Sequence, residues 1–544
     1  MSRTPTLTEV RRWDTGELTA AASSWTSAAG LWESVYTALT DQIATSWTGL
    51  AAQRAVKQAG SDRVNSLAEG DRLHAAAAAA RDGARRIGAA RLSVLASADR
   101  AIAAGFTVGE DFSITTSDPG RVGEGRVMSG VLHVRLERLL EVDREVAAEI
   151  VTAATGLGSR RTVTGELRRS PPTTPVPGIA RPPEDPHQFA EWWEGLSQPE
   201  KDRMFDADAE IGNHGGMPFA ERDAFNRRHL DRLRLDTAAE ADALQAEFDE
   251  LAARLYMGDH SGTTTGELHD LSARLAAARQ RLDGYEAVRQ ALDHRDGVPR
   301  LLGAIDADGH AAVCVGDPDR ASRTAVFVPG TGQDPTTLED NSRRALDMFN
   351  AALAADPNLT KSDVSVTTWV GYDRPMTLTE AAWPDRARAG ATALDRYLDG
   401  MHASHRGPAA VDTVIGHSYG STLVGAAATG GHHLGADNVI AIGSPGMLSR
   451  HAGDLVLDPG GRVYAMTAGN DPISLVTSLT LGADPNDADY GATRLATDPG
   501  AALPYSAGLL PGIPAHSSYW DGGNPGLNNM GAIIAGRPPV AVLR

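Results

Sequence analysis

Ser418 stands in VIGHSYGSTLVGAAA, residues Val414 to Ala428, between two glycines. An apolar, strand-like run precedes it and a small-residue, helix-compatible run follows. A sharp strand-to-helix turn of this kind lifts a serine hydroxyl above the sheet edge, where it can act as a nucleophile. The chain has 57 glycines, so Gly-x-Ser-x-Gly arises easily by chance, and the partner residues must decide. A base has to take the hydroxyl proton, and an acid has to orient that base. Asp471 ends the apolar run VYAMTAGND, where a strand would deliver it to the sheet edge. His516, in IPAHSSYWDGG, lies 516 − 471 = 45 residues later. Serine, acid, histidine is a chain order that such a turn uses. Asp458 and Asp484 are weaker acids because neither directly ends a strand. His432, His433 and His451 precede Asp471 and fit that order poorly. His417, beside the serine, reads as a pocket wall or packing residue.

Acyl chemistry also needs two backbone N–H groups to hold an oxyanion. Tyr419, after the nucleophile, supplies one. The turn in TAVFVPGTGQDPTT supplies the other, from Thr331 or alternatively Gly332. The residues between acid and base, Ser474 to Pro514, are rich in Leu, Ala, Gly and Pro. They read as an irregular apolar insertion that could overhang the serine.

These residues need a sheet to position them. From about Leu301, short β-branched runs alternate with helical stretches: AAVCVG, TAVFVPG, VSVTTWVGY, DTVIGHS, NVIAIGSPG and RVYAMTAGND. That alternation predicts a mostly parallel sheet with helices on both faces, an α/β architecture spanning 301–544. Residues 187–300 read as charged helices packing on or capping it. Residues 166–186 form a proline-rich linker; Arg168 to Pro186 alone holds seven prolines. Residues 1–165 read as an all-α domain. Thr6 and Glu9 fit a capping box that starts a first helix near Leu7. Leu18, Trp25, Trp32 and Leu39 recur every seven residues, with Ala22, Ala29 and Tyr36 four after the first three, giving one apolar stripe. A long alanine-rich helix follows from Leu50 to about Ala103, and another covers Val131–Ala154.

Composition removes several classes. A net charge of −19 argues against a phosphate-binding surface, so no nucleic-acid partner is expected. The single cysteine, Cys314, leaves no internal disulfide and no cysteine-rich zinc site. No metal or cofactor is expected. No apolar run approaches the roughly 18 residues of a membrane span, and the N-terminal residues carry no Sec-type signal.

From about residue 187 the chain resembles an actinobacterial α/β-hydrolase family known as domain of unknown function 1023. The resemblance rests on IGNHGGMPFAERDAFNRRHL (Ile211–Leu230), VFVPGTG, GHSYGS, GSPG, GNDPIS and HSSYWD. It implies the α/β-hydrolase fold with a serine-histidine-acid site and a helical N-terminal extension, and no particular substrate. Ile211–Leu230 precedes the sheet and reads as a strap on the hydrolase. SWTGLAAQRA, with Trp47 and Gly49, resembles the turn of WXG-type helical hairpins exported by type VII secretion. No tyrosine is followed four residues later by Asp or Glu, so the export signal of such substrates is missing.

The expectation is a serine hydrolase acting on a small, apolar acyl substrate through an acyl-enzyme. An acyltransferase with the same triad is one alternative. A secretion-associated effector, whose residues 1–165 bind a helical protein partner, is another. A cytoplasmic location and export without a Sec signal both fit.

Overall fold

The computed structural model describes residues 5–23, 25–26, 29–30, 50–154, 178–256, 262–294, 296–331, 337–375, 378–471, 473, 481–505, 508–511 and 513–539. The chain divides into two compact units, Met1–Thr162 and Val163–Arg544.

In the first unit Thr6 and Glu9 form the expected capping box, with Glu9 N donating to Thr6 Oγ1 at 3.2 Å and Thr6 N to Glu9 Oε2 at 2.6 Å. The helix they open, α1 (Leu7–Arg12), is shorter than the stripe suggested. Asp14 accepts the Gly16 N–H at 2.9 Å, a local turn that interrupts the helix before it resumes at residue 16. In the resumed stretch one stripe residue, Ala22, is buried against Ala77 and Ala80, and Trp25 lies partly buried against them. Trp32, Tyr36, Leu39, Trp47 and Gly49 lie outside the described residues. The alanine-rich helix α2 (Leu50–Ala103) packs on α3 (Val122–Ala154) through Ile87, Val94, Leu132, Leu136, Leu139 and Val142.

In the second unit the proline-rich run stops one residue earlier than read. Asp185 accepts Gln188 N at 2.9 Å and caps helix α4 (Pro186–Glu194), so Pro186 opens a helix, where its missing N–H costs nothing. Helices α5 (Gln198–Ala207), α6 (Phe219–Tyr256) and α7 (Gly262–Leu292) follow.

Among the described residues the sheet has eight strands: β1 (Arg300–Ile305), β2 (Ala311–Val315), β3 (Arg323–Val328), β4 (Val364–Val370), β5 (Val411–His417), β6 (Asn438–Ile442), β7 (Arg462–Met466) and β8 (Thr493–Arg494). Their order is β8-β7-β6-β5-β3-β4-β2-β1, parallel from β8 to β4, with β2 antiparallel to both β4 and β1. Both faces are covered, which is why the strands read as continuous apolar runs. Val326, Val328 and Val414 point to one core, shared with Leu394, Leu398 and Leu423 of helices α9 (Asp385–Ser404) and α10 (Tyr419–Ala427). Ala325, Phe327 and Ile415 point to the other, shared with Met348, Phe349, Met530 and Ile533 of α8 (Leu338–Ala355) and α11 (Pro525–Ile534). From β3 the chain passes to β4 on one side and then returns to β5 on the other. The strand order therefore reverses between β3 and β5, and a crevice opens there at the carboxyl ends.

Strand β1 is an edge, and the segment Ile211–Leu230 closes it. Asn213 donates to Ile305 O at 2.8 Å and accepts Ile305 N at 3.0 Å, as a neighbouring strand would. Asp223 accepts Leu302 N at 2.7 Å, Asn226 donates to Leu302 O at 3.1 Å, and Arg227 donates to Arg300 O at 2.9 Å. An edge strand left with open N–H and C=O groups would recruit another chain. Here one helix turn and the loop before it satisfy them with side chains.

Candidate active site

Ser418 follows the last residue of β5 and caps α10. Its φ of 54° and ψ of −132° place a non-glycine residue in a region that costs about 1–3 kcal/mol. Its neighbours hold it there. Ser418 N donates to Ile442 O of β6 at 2.8 Å, and Ser421 Oγ donates to Ser418 O at 2.6 Å. The flanking glycines are required for space and not for a left-handed backbone. A Cβ at Gly416 would lie 2.4 Å from Ser421 Cα, and one at Gly420 would lie 2.0 Å from Val328 O. Thus the elbow is wedged between its own helix and the end of β3.

The turn after β3 runs against it. A Cβ on Gly330 would lie 2.6 Å from Ser418 Cβ and 3.0 Å from Tyr419 N. Thr331, next in the chain, is half-buried, and Gly332 lies outside the described residues. The Tyr419 side chain turns into the core, where its hydroxyl donates to Trp383 O at 2.5 Å and accepts Ala387 N at 3.1 Å. Tyr419 therefore meets the site through its backbone, whose N–H belongs to the open first turn of α10.

Asp471 lies five residues beyond Met466, the last residue of β7, and is fully buried. Its carboxylate accepts His516 Nδ1 at 2.9 Å on Oδ1 and 2.8 Å on Oδ2. Ile473 N donates to Oδ1 at 2.8 Å, and the Tyr519 hydroxyl donates to Oδ2 at 2.5 Å. Among the described residues, three donors thus converge on this carboxylate. Tyr519 is in turn fixed by Ala468 N, which donates to its oxygen at 3.0 Å. Burial first, then the Asp471 charge, push the Tyr519 phenol well above its ordinary pKa, so it stays a proton donor to the carboxylate. Sequence reasoning missed Tyr519, although its residue stands in the HSSYWD stretch. Gly443, with φ of +50°, makes room for the pair: a Cβ there would lie 2.8 Å from Asp471 Oδ2 and 3.1 Å from His516 Cε1.

His516 sits in a 3-10 segment, Ile513–Trp520, with its side chain 22% exposed. His417 is buried, and its Nε2 lies 2.8 Å from the His516 carbonyl oxygen. The other candidates are occupied elsewhere. Asp458 pairs with His433 at 3.3 Å, His432 with Asp395 at 3.2 Å, and His451 Nδ1 lies 3.1 Å from Asp489 O. Asp484 accepts Asn486 N at 2.8 Å in a local turn.

The expected irregular insertion between acid and base is partly sheet and core. Thr493–Arg494 is the edge strand β8, Leu481, Tyr490 and Leu495 are buried, and Ala502–Tyr505 pairs antiparallel with Gly508–Pro511. Residues 474–480, 506–507 and 512 lie outside the described residues.

A cavity of about 740 Å³ opens along the same sheet edge, bordered by α6, α7, the β1–β2 turn and the residues after β4. Tyr372 forms one wall and donates its hydroxyl to Pro329 O at 3.2 Å, bracing the turn that bears Thr331. His310 lines the cavity between two carboxylates, with Nδ1 2.8 Å from Asp306 and Nε2 3.3 Å from Asp373. Burial disfavours its charge, yet the hydrogen bonds to both acids outweigh that and raise its pKa to about 9. Asp306, Asp308 and His310 offer ligand atoms within 4.8 Å of one another, a grouping the sequence reading did not identify. Both His310 nitrogens already face carboxylates, so a protonated ring accounts for the cluster.

Residues 306–481 match the model of a family described as alpha/beta hydrolase. The match takes in Ser418 and Asp471 and ends before His516. An uncharacterized protein of Mycobacterium tuberculosis (strain H37Rv), Rv2079, is 33% identical over 407 residues, covering 66% of this chain and 56% of that one. A second from the same strain, Rv2077c, is 29% identical over 198 residues, covering 32% and 61%. Among solved structures, MGS-M1, an alpha/beta hydrolase enzyme from a Medee basin deep-sea metagenome library, aligns at 15% identity with a TM-score of 0.20, over 32% of this chain and 71% of that one. The chain spans little more than half the length of the first of these curated relatives. With its strand order, its strained serine turn and the family match in hand, the second unit has the α/β-hydrolase fold, a mostly parallel sheet with flanking helices, in a chain whose N-terminal region is helical.

Proposed function

We propose that the protein is a serine hydrolase that cleaves an ester or related acyl bond through an acyl-enzyme. The observation that carries this is the two-pronged Asp471–His516 hydrogen bond, on a segment that His417 Nε2 meets at the His516 carbonyl, together with a serine, next after His417, held in a strained elbow. Ser418 Oγ attacks the substrate carbonyl carbon while His516 Nε2 takes its proton. Asp471 holds the ring through Nδ1 and stabilises the imidazolium that forms. The carbonyl oxygen becomes an oxyanion, received by the Tyr419 N–H and the Thr331 N–H, with Gly332 as the alternative donor. Collapse breaks the acyl–oxygen bond, and the leaving alcohol takes the proton from His516. Water then repeats the sequence on the acyl-enzyme and releases the acid. None of these steps draws on a metal or a cofactor. A small acyl substrate is the fitting partner.

The test is fluorophosphonate labelling read by intact mass, alongside hydrolysis of p-nitrophenyl esters of graded chain length. One adduct on the wild type, mapped to Ser418 and absent from Ser418→Ala and His516→Ala, supports the reading. A folded wild type that neither labels nor turns over any ester would overturn it.

A further inference from the structure

His417 has a place in the site that packing alone does not explain. It is the last residue of β5, directly before Ser418, yet its ring reaches a residue 99 positions away in the chain, with Nε2 2.8 Å from the His516 carbonyl oxygen. A carbonyl can only accept, so Nε2 carries the proton. Nδ1 is buried with no hydrogen-bond partner among the described residues. Protonating it would bury a second N–H without an acceptor, so the ring stays neutral. Burial, and then the neighbouring His516 and Arg344, push its pKa well below the usual histidine range.

The ring is also sandwiched. Its centroid lies 4.7 Å from that of His516 and 5.1 Å from that of Trp520, which meets it edge-on at 89°. Trp520 is fixed from other sides by Phe327 at 5.4 Å and by the Arg344 guanidinium at 4.6 Å. His417 thus ties the segment that carries the base to the strand that carries the nucleophile. The Asp471 bonds set the tilt of the His516 ring, and the His417 bond sets the position of its backbone.

We propose that His417 is a positioning residue for His516, acting through the hydrogen bond from its Nε2–H to the His516 carbonyl. The proposal rests on the Ser418–His516–Asp471 reading above. A charged ring at this place would oppose the His516 imidazolium formed during attack, and a ring without the Nε2 donor would leave the base-bearing segment unanchored.

The experiment compares His417→Gln and His417→Asn in the full chain, with p-nitrophenyl butyrate as substrate and His516→Ala as control. A Gln amide reaches the place of Nε2; an Asn amide is one methylene short and reaches only the place of Nδ1. The expected result is a kcat for His417→Gln within about threefold of wild type, and a loss of tenfold or more for His417→Asn, with KM changed less than twofold in both. Thermal melts confirm that each variant folds; a role in packing alone would lower both variants alike. Equal kcat for the two variants, lowered or not, with His516→Ala inactive, overturns the role of His417 and leaves the triad standing. Wild-type kcat in His516→Ala overturns the triad, and the role of His417 with it.

Discussion

The carboxyl edge of the sheet carries two histidine–aspartate pairs that set the same groups in different surroundings. His310 and Asp306 are four residues apart, and their side chains are 2% and 4% exposed. His516 and Asp471 are 45 residues apart, with the imidazole 22% exposed and the carboxylate fully buried. In each pair Nδ1 faces a carboxylate. The difference is at Nε2. His310 turns Nε2 toward a second acid, Asp373, so both nitrogens are committed and the ring is locked as a cation. The side-chain hydrogen bonds of His516 among the described residues use Nδ1, which leaves Nε2 for the role proposed above. A histidine beside an aspartate becomes a base or a structural cation according to what meets its other nitrogen.

Mutations can break this contrast. The largest effect is expected for Ser418→Ala, which should lower kcat by about 10⁴-fold or more while the melting temperature holds, because alanine keeps the Cβ and the backbone of the elbow and removes only the hydroxyl. Asp471→Asn should cost about 10³–10⁴-fold in kcat. Asp306→Asn, the matching change in the other pair, should leave kcat within about threefold; a loss as large as that of Asp471→Asn would erase the distinction. Gly443→Ala should fall between, at about 10–100-fold, since its methyl would press on Asp471 and His516 together.

Stability sharpens the contrast further. The folded pKa of His310 is about 9, above the roughly 6.5 of an unfolded histidine. The bond to its acids therefore stabilises fully below about pH 6.5, and the gain is lost as pH rises through 9. Denaturation of the wild type should show about 3 kcal/mol of stability lost over that window, and His310→Gln should remove the dependence. The smallest effect is expected for Asn213→Ala, about 1–2 kcal/mol at any pH, from two backbone groups of Ile305 left unpaired. A midpoint unchanged in urea would show that the β1 edge does not need its cover.

The sequence makes the local parts readable. The elbow is readable because Gly416 and Gly420 sit two positions from Ser418, where the close approach of Ser421 and Val328 leaves no room for side chains. Asp471 is readable because an apolar strand ends just before it. The sheet is readable because burial on both faces leaves continuous β-branched runs. What escapes are contacts made by folding distance. Tyr519 reaches Asp471 across 48 residues, His310 reaches Asp373 across 63, and His417 reaches His516 across 99. No periodicity or spacing marks such pairs. The stretch Ile211–Leu230 was readable as a strap but not in its detail, because what Asn213 and Asp223 bind is backbone 79 to 92 residues away, which carries no side-chain signature. The break after α1 escaped because it lies before Leu18, where the apolar stripe begins, and rests on a single local turn at Asp14.

The side-chain cover of β1 also fixes an order of events at the ribosome. Asn213, Asp223, Asn226 and Arg227 are translated before Arg300–Ile305, the strand they seal. A nascent chain folds from its N-terminal side as it emerges. The clamp is therefore already outside when the strand arrives, and the edge need never wait uncovered beside a neighbouring polysome product. Circular permutants that move Asn213–Arg227 behind the strand would reverse that order and should yield more insoluble protein at equal expression.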